Sequence, residues 1–444
     1  MKGDFGMKKN VIIGQSGGPT AVINNSIRGV IDGLNKSEKI NKIYGAKSGI
    51  LGVLKEKLID ISRQDKKQIA LLSNTPSAGV FGTCRYKIKS SEDMERILEV
   101  FEKHNVGYFF YCGGNDSMDT ADKINKLAKE KSLDIVCIGI AKTIDNDVGG
   151  HLQKDGTFAI CDHDPGYGST MRSTAINILE ATQEIKASCS FSPVLIIGVM
   201  GRKIGFIAAS ARLADIERKT SILIILPESF NNYNHQDNLQ YITEKVNEKI
   251  LKYGNCIVVI SEGVNLGDLN VLTDSFGHVE FGGSGTSVEV ILANYLNGMD
   301  RKDPKGRAQS RLVIPGFARW ERPGTKQRRD YFTISGIDLK EAYNVGKNAA
   351  KLALKGESGY MSTILRKSGK TYSVIYDKIP LDVVANSERK FPQEWITSDR
   401  VDVTDDFIKW AMPLLGENLP EFANFNEYYA EKICKEYIPV EFRK

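Results

Sequence analysis

The chain has 444 residues, of which 41% are hydrophobic and 26% are charged, a balance that excludes a disordered protein. Its 60 basic and 55 acidic residues leave a net charge of +5, which is too small to indicate nucleic acid as a partner. No run approaches the ~18 apolar residues of a membrane span, and the N-terminal residues have no signal-peptide pattern. Seven dispersed cysteines without a C-x-x-C pair predict free thiols in a reducing cytoplasm.

The first third of the chain contains three short apolar runs that read as strands, at 10–15, 106–112 and 134–140. Each run is followed by a polar loop, at 16–20, 113–117 and 141–147. An amphipathic helix follows the first loop, with its apolar stripe between Val22 and Leu34, and a second helix is predicted over about 118–131.

The pattern recurs in the next third, with predicted strands at 194–199, 221–226 and 256–260 and helices at about 204–214 and 238–253. A further helix is predicted over 339–354. Apolar strands that alternate with amphipathic helices predict an α/β fold with mainly parallel sheets covered on both faces. Two groups of three strands predict two α/β domains that face a shared cleft, because ligands bind at the carboxyl ends of such strands.

Residues 301–330 contain ten basic side chains against three acidic ones. This composition is typical of a solvated basic loop, and it is equally typical of a site for phosphate or another anion. The residues alone leave both interpretations open.

A double glycine, Gly17-Gly18, lies between the first strand and its helix. Glycines in that place let backbone N–H groups approach a phosphate at the helix N-terminus, although a pair of glycines is also common in ordinary tight turns. The loop is not a P-loop, because the G-K-[ST] that would follow is absent. Gly113-Gly114 begins a second loop of this kind, which also carries polar side chains.

The loop after the third strand carries two carboxylates, Asp145 and Asp147, beside Thr143 and Lys142. A capping turn would account for the Asp and Asn residues. A chemical interpretation assigns Asp145 as the base that accepts a hydroxyl proton and Asp147 as a ligand of Mg²⁺. A base, a divalent metal and a glycine loop are the components of phosphoryl transfer.

Five motifs occur in chain order: S-G-G-P-T-x-x-x-N, G-G-N-D-S, K-T-I-D-N-D, M-G-R and S-E-G. Together they resemble the phosphofructokinase family, and most of all its pyrophosphate-dependent branch, from residue 10 to about residue 361. The resemblance implies two Rossmann-like domains, the first over 1–155 for the phosphoryl donor and the second over 156–318 for the sugar phosphate. Residues 320–370 are expected to pack on the first domain, and 370–444 form a C-terminal extension.

The resemblance also implies a role for each site residue. The donor, pyrophosphate with Mg²⁺, is expected at Gly17, Gly18, Gly114, Asp116 and Lys142, and the metal at Asn115 and Asp147. Asp145 is expected to deprotonate the sugar's 1-hydroxyl, while Thr143, Arg85 and Arg202 act on the phosphoryl groups. Fructose 6-phosphate is expected to contact Thr143, Ile144, Asp145, Met200, Gly201, Arg202, Glu262, Arg311, Phe317 and Arg319.

Three places depart from the family's pattern, and one of them is Ala141, which replaces a proline often found before Lys142. Asn115 stands where many members carry an aspartate that helps to bind magnesium, so the metal site loses one charge. The sugar-phosphate segment usually reads G-[YHT]-x-Q-R, whereas residues 316–320 read G-F-A-R-W. Its last arginine has become Trp320, for which Arg319 or Arg322 could substitute.

The donor and the assembly follow from the same resemblance. ATP-using relatives carry glycine at the positions of Asp116 and Lys142, so these two residues favour pyrophosphate; a carboxylate at Asp116 would also suit the N-terminus of a helix. The arginine equivalent to Arg311 often comes from a neighbouring subunit, which implies a homodimer or homotetramer. The expected activity is the reversible, pyrophosphate-dependent phosphorylation of fructose 6-phosphate in glycolysis and gluconeogenesis. An ATP-dependent 6-phosphofructokinase and a catalytically silent, sugar-phosphate-sensing subunit are the alternatives.

Overall fold

The computed structural model describes residues 7–268, 286–369, 371–385 and 387–423, the residues 425, 428, 430 and 431, and the backbone of 272–273 and 279–280. Cys434 and much of the end of the predicted C-terminal extension lie outside the described residues. The six other cysteines are free thiols, and five of them are buried, as the sequence predicts.

Thirteen strands form three sheets within the described residues. They are β1 (Lys9–Gln15), β2 (Ile40–Ala46), β3 (Leu58–Asp60), β4 (Val106–Gly113), β5 (Val136–Ala141), β6 (Val194–Val199), β7 (Ile222–Ile225), β8 (Cys256–Ser261), β9 (Leu272–Thr273), β10 (Val279–Glu280), β11 (Ala318–Glu321), β12 (Tyr360–Arg366) and β13 (Val374–Pro380). The first sheet has the order β13-β12-β5-β4-β1-β2-β3 and is parallel except at its two edge pairs. The second has the order β11-β6-β8-β7 and is parallel throughout. Strands β9 and β10 form an antiparallel pair. The predicted α/β class with mainly parallel sheets is confirmed.

The α-helices of the described residues are α1 (Ile23–Leu34), α2 (Ile50–Leu54), α3 (Lys66–Leu71), α4 (Ser91–Lys103), α5 (Asn115–Glu130), α6 (Tyr167–Ser188), α7 (Phe206–Ala209), α8 (Pro227–Phe230), α9 (His235–Tyr253), α10 (Val288–Leu296), α11 (Gly336–Leu354), α12 (Leu381–Ala385) and α13 (Asp405–Ala411). In that part of the chain, no helix is both long and apolar enough to cross a bilayer.

Four helix predictions need correction, and for two of them only the start changes: α9 and α11 begin at His235 and Gly336, three residues before the predicted starts. Helix α5 begins at Asn115, about one turn before the predicted start, because the N–H groups of Ser117 and Met118 both donate to the Gly114 carbonyl, over 2.9 and 3.1 Å. The helix predicted over 204–214 is the short α7, which continues as a tighter 3₁₀ segment, Ser210–Ala214. The earlier start of α5 places its first polar residues at the helix N-terminus, next to the end of β4.

Helices α1 and α11 pack against each other on the first sheet, although they lie at opposite ends of the chain. Each contributes a glycine where the backbones meet. A Cβ at Gly29 would lie 2.0 Å from the Tyr343 carbonyl oxygen, and one at Gly346 would lie 1.9 Å from the Ser26 carbonyl oxygen. This contact, together with β12 and β13, places residues 336–380 on the first sheet, whereas β11 belongs to the second.

The described part of the C-terminal extension contributes an aromatic cluster, which we define as Phe391, Trp395, Phe407 and Trp410. These side chains are buried, and the rings of Trp395 and Trp410 pack on Phe158, which follows the loop after β5. Phe391 and Trp410 also pack on Phe206 in α7, with ring centroids 5.0 and 5.8 Å apart. Because buried aromatic rings remove a large apolar surface from water, this cluster fastens the extension to both halves of the chain.

Candidate active site

The loops that follow β1, β4 and β5 of the first sheet meet the loops that follow β6 and β8 of the second. The carboxyl ends of parallel strands carry their loops to one edge, so two such sheets can enclose a ligand between their edges. Here they enclose a cavity of about 430 Å³. Most of the predicted site residues line it: Gly17, Gly18, Arg85, Gly114, Asn115, Asp116, Lys142, Thr143, Ile144, Asp145, Asp147, Met200, Arg202 and Glu262.

Two cations lie beside the Gly17-Gly18 loop. The ammonium of Lys142 donates to the Gly18 carbonyl oxygen over 2.5 Å, and a Cβ at Gly18 would lie 2.8 Å from Nη1 of Arg328. Gly17 has φ = +73°, a backbone conformation that favours glycine. Its N–H donates to the Cys84 carbonyl oxygen over 2.9 Å. This N–H is therefore already occupied and does not point to a phosphate as the resemblance implies. The positive charge at this place comes from side chains.

Lys142 is the most deeply buried of these cations. Burial lowers the pKa of Lys142 to about 8, although the neighbouring carboxylates of Asp147 and Asp145 favour its charged form. Burial removes the water that would stabilise the charge of this ammonium. A bound anion stabilises that charge instead. The geometry therefore suits a phosphate group next to Lys142.

Two residues that line this cavity, Asn115 and Asp147, carry oxygens with the chemistry of metal ligands. Oδ1 of Asn115 and Oδ1 of Asp147 are buried, and neither has a hydrogen-bond partner among the described residues. Buried polar atoms are nearly always paired, so two oxygens without a partner on residues of one cavity indicate that these residues bind a cation or a hydrogen-bond donor. Carboxylate and amide oxygens are the ligands that Mg²⁺ prefers, and these residues therefore fit the metal that the family implies.

Asp145 lies opposite Arg202, with Oδ2 of the carboxylate 3.7 Å from Nε of the guanidinium. Its own N–H donates to Oγ1 of Thr143 over 3.1 Å. Burial and the negative charge of Asp147 raise the pKa of Asp145, Arg202 and Lys142 act in the opposite direction, and the net pKa is about 6. The carboxylate is thus a stronger base than an exposed aspartate, as proton abstraction requires.

The second sheet supplies Met200, Gly201, Arg202 and Glu262 on the opposite wall. The N–H of Arg202 donates to Oε1 of Glu262 over 3.0 Å, and burial raises the pKa of that carboxyl to about 7. Gly201 has φ = +130°, which turns the chain so that Met200 and Arg202 both face the cavity. Two loops from neighbouring strands therefore form one wall with hydrogen-bonding groups.

A family model described as Phosphofructokinase matches residues 10–301. The chain belongs to the phosphofructokinase family. Proteins named "Pyrophosphate--fructose 6-phosphate 1-phosphotransferase" from Halomonas elongata and Xanthomonas campestris pv. campestris are 36% and 37% identical to it, over 429 and 423 residues. These alignments cover 94% of both chains in the first case, and 93% of this chain and 92% of the relative in the second. The crystal structure of the pyrophosphate-dependent phosphofructokinase from Marinobacter aquaeolei is 34% identical, with a TM-score of 0.76 over 94% of each chain. The resemblance inferred from the five motifs is confirmed.

Three residues for which family membership predicts a contact with the sugar phosphate lie outside the cavity of the single chain. Arg311 forms a bidentate ion pair with Asp300, at 2.6 Å for each nitrogen, and stacks on the ring of Tyr295. Arg319 donates to Glu184 and Ser188 on helix α6, and the ring of Phe317 is half exposed. Trp320, in place of the family's arginine, is also half exposed on the edge strand β11. None of these side chains reaches the cavity of its own chain.

The cavity also contains charged residues that the motifs did not identify as site residues. Arg322 and Arg328 come from the basic stretch 301–330, so its interpretation as an anion site applies to these two. Nε of Arg322 lies 2.5 Å from Oε1 of the buried Glu289, which orients its guanidinium. Lys87 forms an ion pair with Asp116 at 3.1 Å. Lys87 and Glu289 carry no motif, so only the structure identifies them.

Proposed function

We propose that the protein transfers a phosphoryl group from pyrophosphate to the 1-hydroxyl of fructose 6-phosphate, and that the reaction is reversible. The observation that carries this proposal is that buried Lys142 and exposed Asp116 line the same cavity as Asn115 and Asp147, each of which has an orphaned oxygen. The names of the relatives from Halomonas and Xanthomonas support the same reaction. The enzyme would act in the cytoplasm, in glycolysis and gluconeogenesis, and the free thiols of the described cysteines agree with a reducing compartment.

In this mechanism Asp145 accepts the proton of the 1-hydroxyl. The sugar oxygen forms a bond to one phosphorus of pyrophosphate, and the bond from that phosphorus to the bridging oxygen breaks, which releases phosphate. Thr143 accepts a hydrogen bond from the Asp145 N–H, so its own hydroxyl proton is available to the transferring group. Arg85 and Arg202 line the same cavity and stabilise the charge on the phosphoryl oxygens.

Asn115 and Asp147 would hold Mg²⁺ through their orphaned oxygens. Bound there, the metal supplies positive charge that offsets the charge of the donor's phosphates. Glu262 accepts the N–H of Arg202 and lies on the cavity wall that the second sheet supplies. Its second oxygen can bind a sugar hydroxyl there. Each group of the mechanism therefore comes from a residue that lines one cavity.

The reaction is tested with purified protein, fructose 6-phosphate and Mg²⁺, with pyrophosphate or ATP as the donor. We expect kcat/KM for pyrophosphate to exceed that for ATP by at least about 100-fold, since the Asp116 carboxylate repels the additional phosphate of ATP. Chelation of the metal should abolish the reaction, and added Mg²⁺ should restore it. A preference for ATP would establish the first alternative, and inactivity with both donors the silent subunit.

We further propose that the enzyme is a homodimer or homotetramer in which Arg311 of one chain binds the 6-phosphate in a neighbouring chain. Its place outside the cavity of its own chain supports this arrangement. Mixing an inactive Asp145→Asn chain with an inactive Arg311→Ala chain should restore part of the activity, because one site of the mixed oligomer has both residues intact. If isolated mixed oligomers recover no activity, each site is built within one chain.

A further inference from the structure

The largest charged side chain buried near the catalytic loop comes from the C-terminal extension. Arg389 is almost completely buried, and its guanidinium donates to four acceptors. Nη1 donates to Oδ1 of Asn146 over 3.0 Å and to the Asp162 carbonyl oxygen over 2.7 Å. Nη2 donates to the Val148 carbonyl oxygen over 3.0 Å and to the Cys161 carbonyl oxygen. One side chain therefore joins the catalytic loop to the segment at 161–162.

Asn146 lies between the two carboxylates that the mechanism uses, Asp145 and Asp147. It is fully buried and has φ = +58°, a left-handed conformation that bends the loop. Its Oδ1 accepts hydrogen bonds from Arg389 and from the N–H of Asp164, each over 3.0 Å. The backbone N–H of Arg389 also donates to the Asp147 carbonyl oxygen over 2.9 Å. Arg389 thus contacts the turn that brings both carboxylates into the cavity.

The surroundings of Arg389 suit a guanidinium. A Cβ at Gly149 would lie 2.1 Å from its Nη2, so glycine at that position leaves the space that the side chain fills. The ring of Phe158 lies below the guanidinium, 4.6 Å from its central carbon. A guanidinium has five donors in a planar fork and reaches acceptors on two segments at once, whereas a lysine ammonium donates from one point.

The segment 388–391 also contacts the second wall of the cavity. Glu388 lines the cavity itself. The N–H of Phe391 donates to Oε1 of Glu228 over 3.3 Å, and that same oxygen accepts the N–H of Gly205 over 3.0 Å. Gly205 ends the loop that begins with the M-G-R motif. The segment therefore contacts the loop that bears Asp145 directly, and it is linked through Glu228 to the loop that begins with the M-G-R motif.

We propose that Arg389 is a positioning residue, which holds the turn at Asn146 so that Asp145 and Asp147 face the substrates. The proposal rests on the proposed function, because it assigns the extension a task in that reaction. Asp145 must lie within hydrogen-bond reach of the hydroxyl proton, and misplacement of a reacting group by about 1 Å can cost about 100-fold in rate. Arg389 touches neither substrate nor the reacting atoms in this role.

Arg389→Lys is the first test, since it keeps the charge but loses the fork. We expect kcat to fall by about 10- to 100-fold, with KM for fructose 6-phosphate and for pyrophosphate within about threefold of wild type. Binding of fructose 6-phosphate, measured by calorimetry without turnover, should also stay within about threefold. In Arg389→Ala, free guanidinium ion should restore part of kcat.

The path through Asn146 is tested with Asn146→Gly, which keeps the left-handed backbone and removes the acceptor. Because Arg389 and Asn146 share a hydrogen bond, the fold-loss of kcat in the double variant with Arg389→Lys should be smaller than the product of the two single losses. Arg212→Lys is the matched control: Arg212 is equally buried and bonds Asp402 of the C-terminal extension, and neither residue lines the cavity. It should lower Tm and leave kcat unchanged.

Three results would overturn the proposal: folded Arg389→Lys with a kcat within threefold of wild type, no rescue by guanidinium, or additive losses in the double variant. A fall in Tm in both arginine variants with normal kcat would assign Arg389 to the core alone. Wild-type protein in the same assay separates this outcome from failure of the proposed reaction, because an inactive wild type would overturn the function itself.

Discussion

Asp145→Asn should lower kcat by at least about 100-fold and leave KM for both substrates nearly unchanged. The amide has the shape of the carboxylate and can fill its place beside Arg202, while the backbone N–H of residue 145 keeps its hydrogen bond to the Thr143 hydroxyl. It cannot accept the proton of the sugar hydroxyl, so the loss falls on the chemical step. Steady-state kinetics with pyrophosphate and fructose 6-phosphate measure both constants.

Asp119→Asn provides the control for Asp145→Asn. Asp119 lies on helix α5, half exposed, in an ion pair with Lys123 at 2.6 Å, and it does not line the cavity. The same chemical change there should leave kcat as it is. A near-normal kcat for folded Asp145→Asn would contradict the assignment of the base, whatever the behaviour of the control.

Asp116→Gly should change the donor preference, with a higher kcat/KM for ATP and a lower one for pyrophosphate. The Asp116 side chain is exposed in the first turn of α5, faces the cavity, and forms an ion pair with Lys87. A carboxylate there crowds and repels the α-phosphate of ATP, while pyrophosphate has no group in that place. We expect the ratio of the two kcat/KM values to shift by at least about tenfold, and further when Lys142→Gly is added.

The helix-cap interpretation of Asp116 makes a different prediction. Gly114 is the N-cap of α5, and no side chain makes a capping hydrogen bond there, so the carboxylate contributes only through its charge near the helix N-terminus. Asp119→Gly places the same substitution on the same helix away from the donor, where it should cost about 1 kcal/mol of stability. If Asp116→Gly lowers Tm in the same way and leaves the donor ratio unchanged, Asp116 is a helix residue and not a donor gate.

The positions of β1, β4, β5, β6, β7 and β8, and of the loops that carry the chemistry, can be predicted from the amino-acid sequence alone. Runs such as 194–199 and 256–260 are apolar throughout because their strands are buried on both faces, so the pattern is local and readable. The motifs T-I-D-N-D and M-G-R each lie on consecutive residues, so the loop that holds Asp145 and the loop that holds Arg202 were identified without knowledge of their neighbours. The carboxyl ends of parallel strands then bring such loops to one edge.

Only the tertiary structure decided which distant side chains complete this site. Arg322 and Arg328 enter the cavity because they follow β11, which pairs with β6 in the second sheet, and Glu289 enters it from helix α10; periodicity does not encode this order. Arg389 reaches Asn146 because the aromatic cluster fastens the extension over both halves of the chain. Conversely, the structure shows that Arg311 forms an ion pair with Asp300 and does not line the cavity of its own chain. Composition and spacing specify local conformation, whereas contacts between remote segments depend on strand order and on the packing of whole elements.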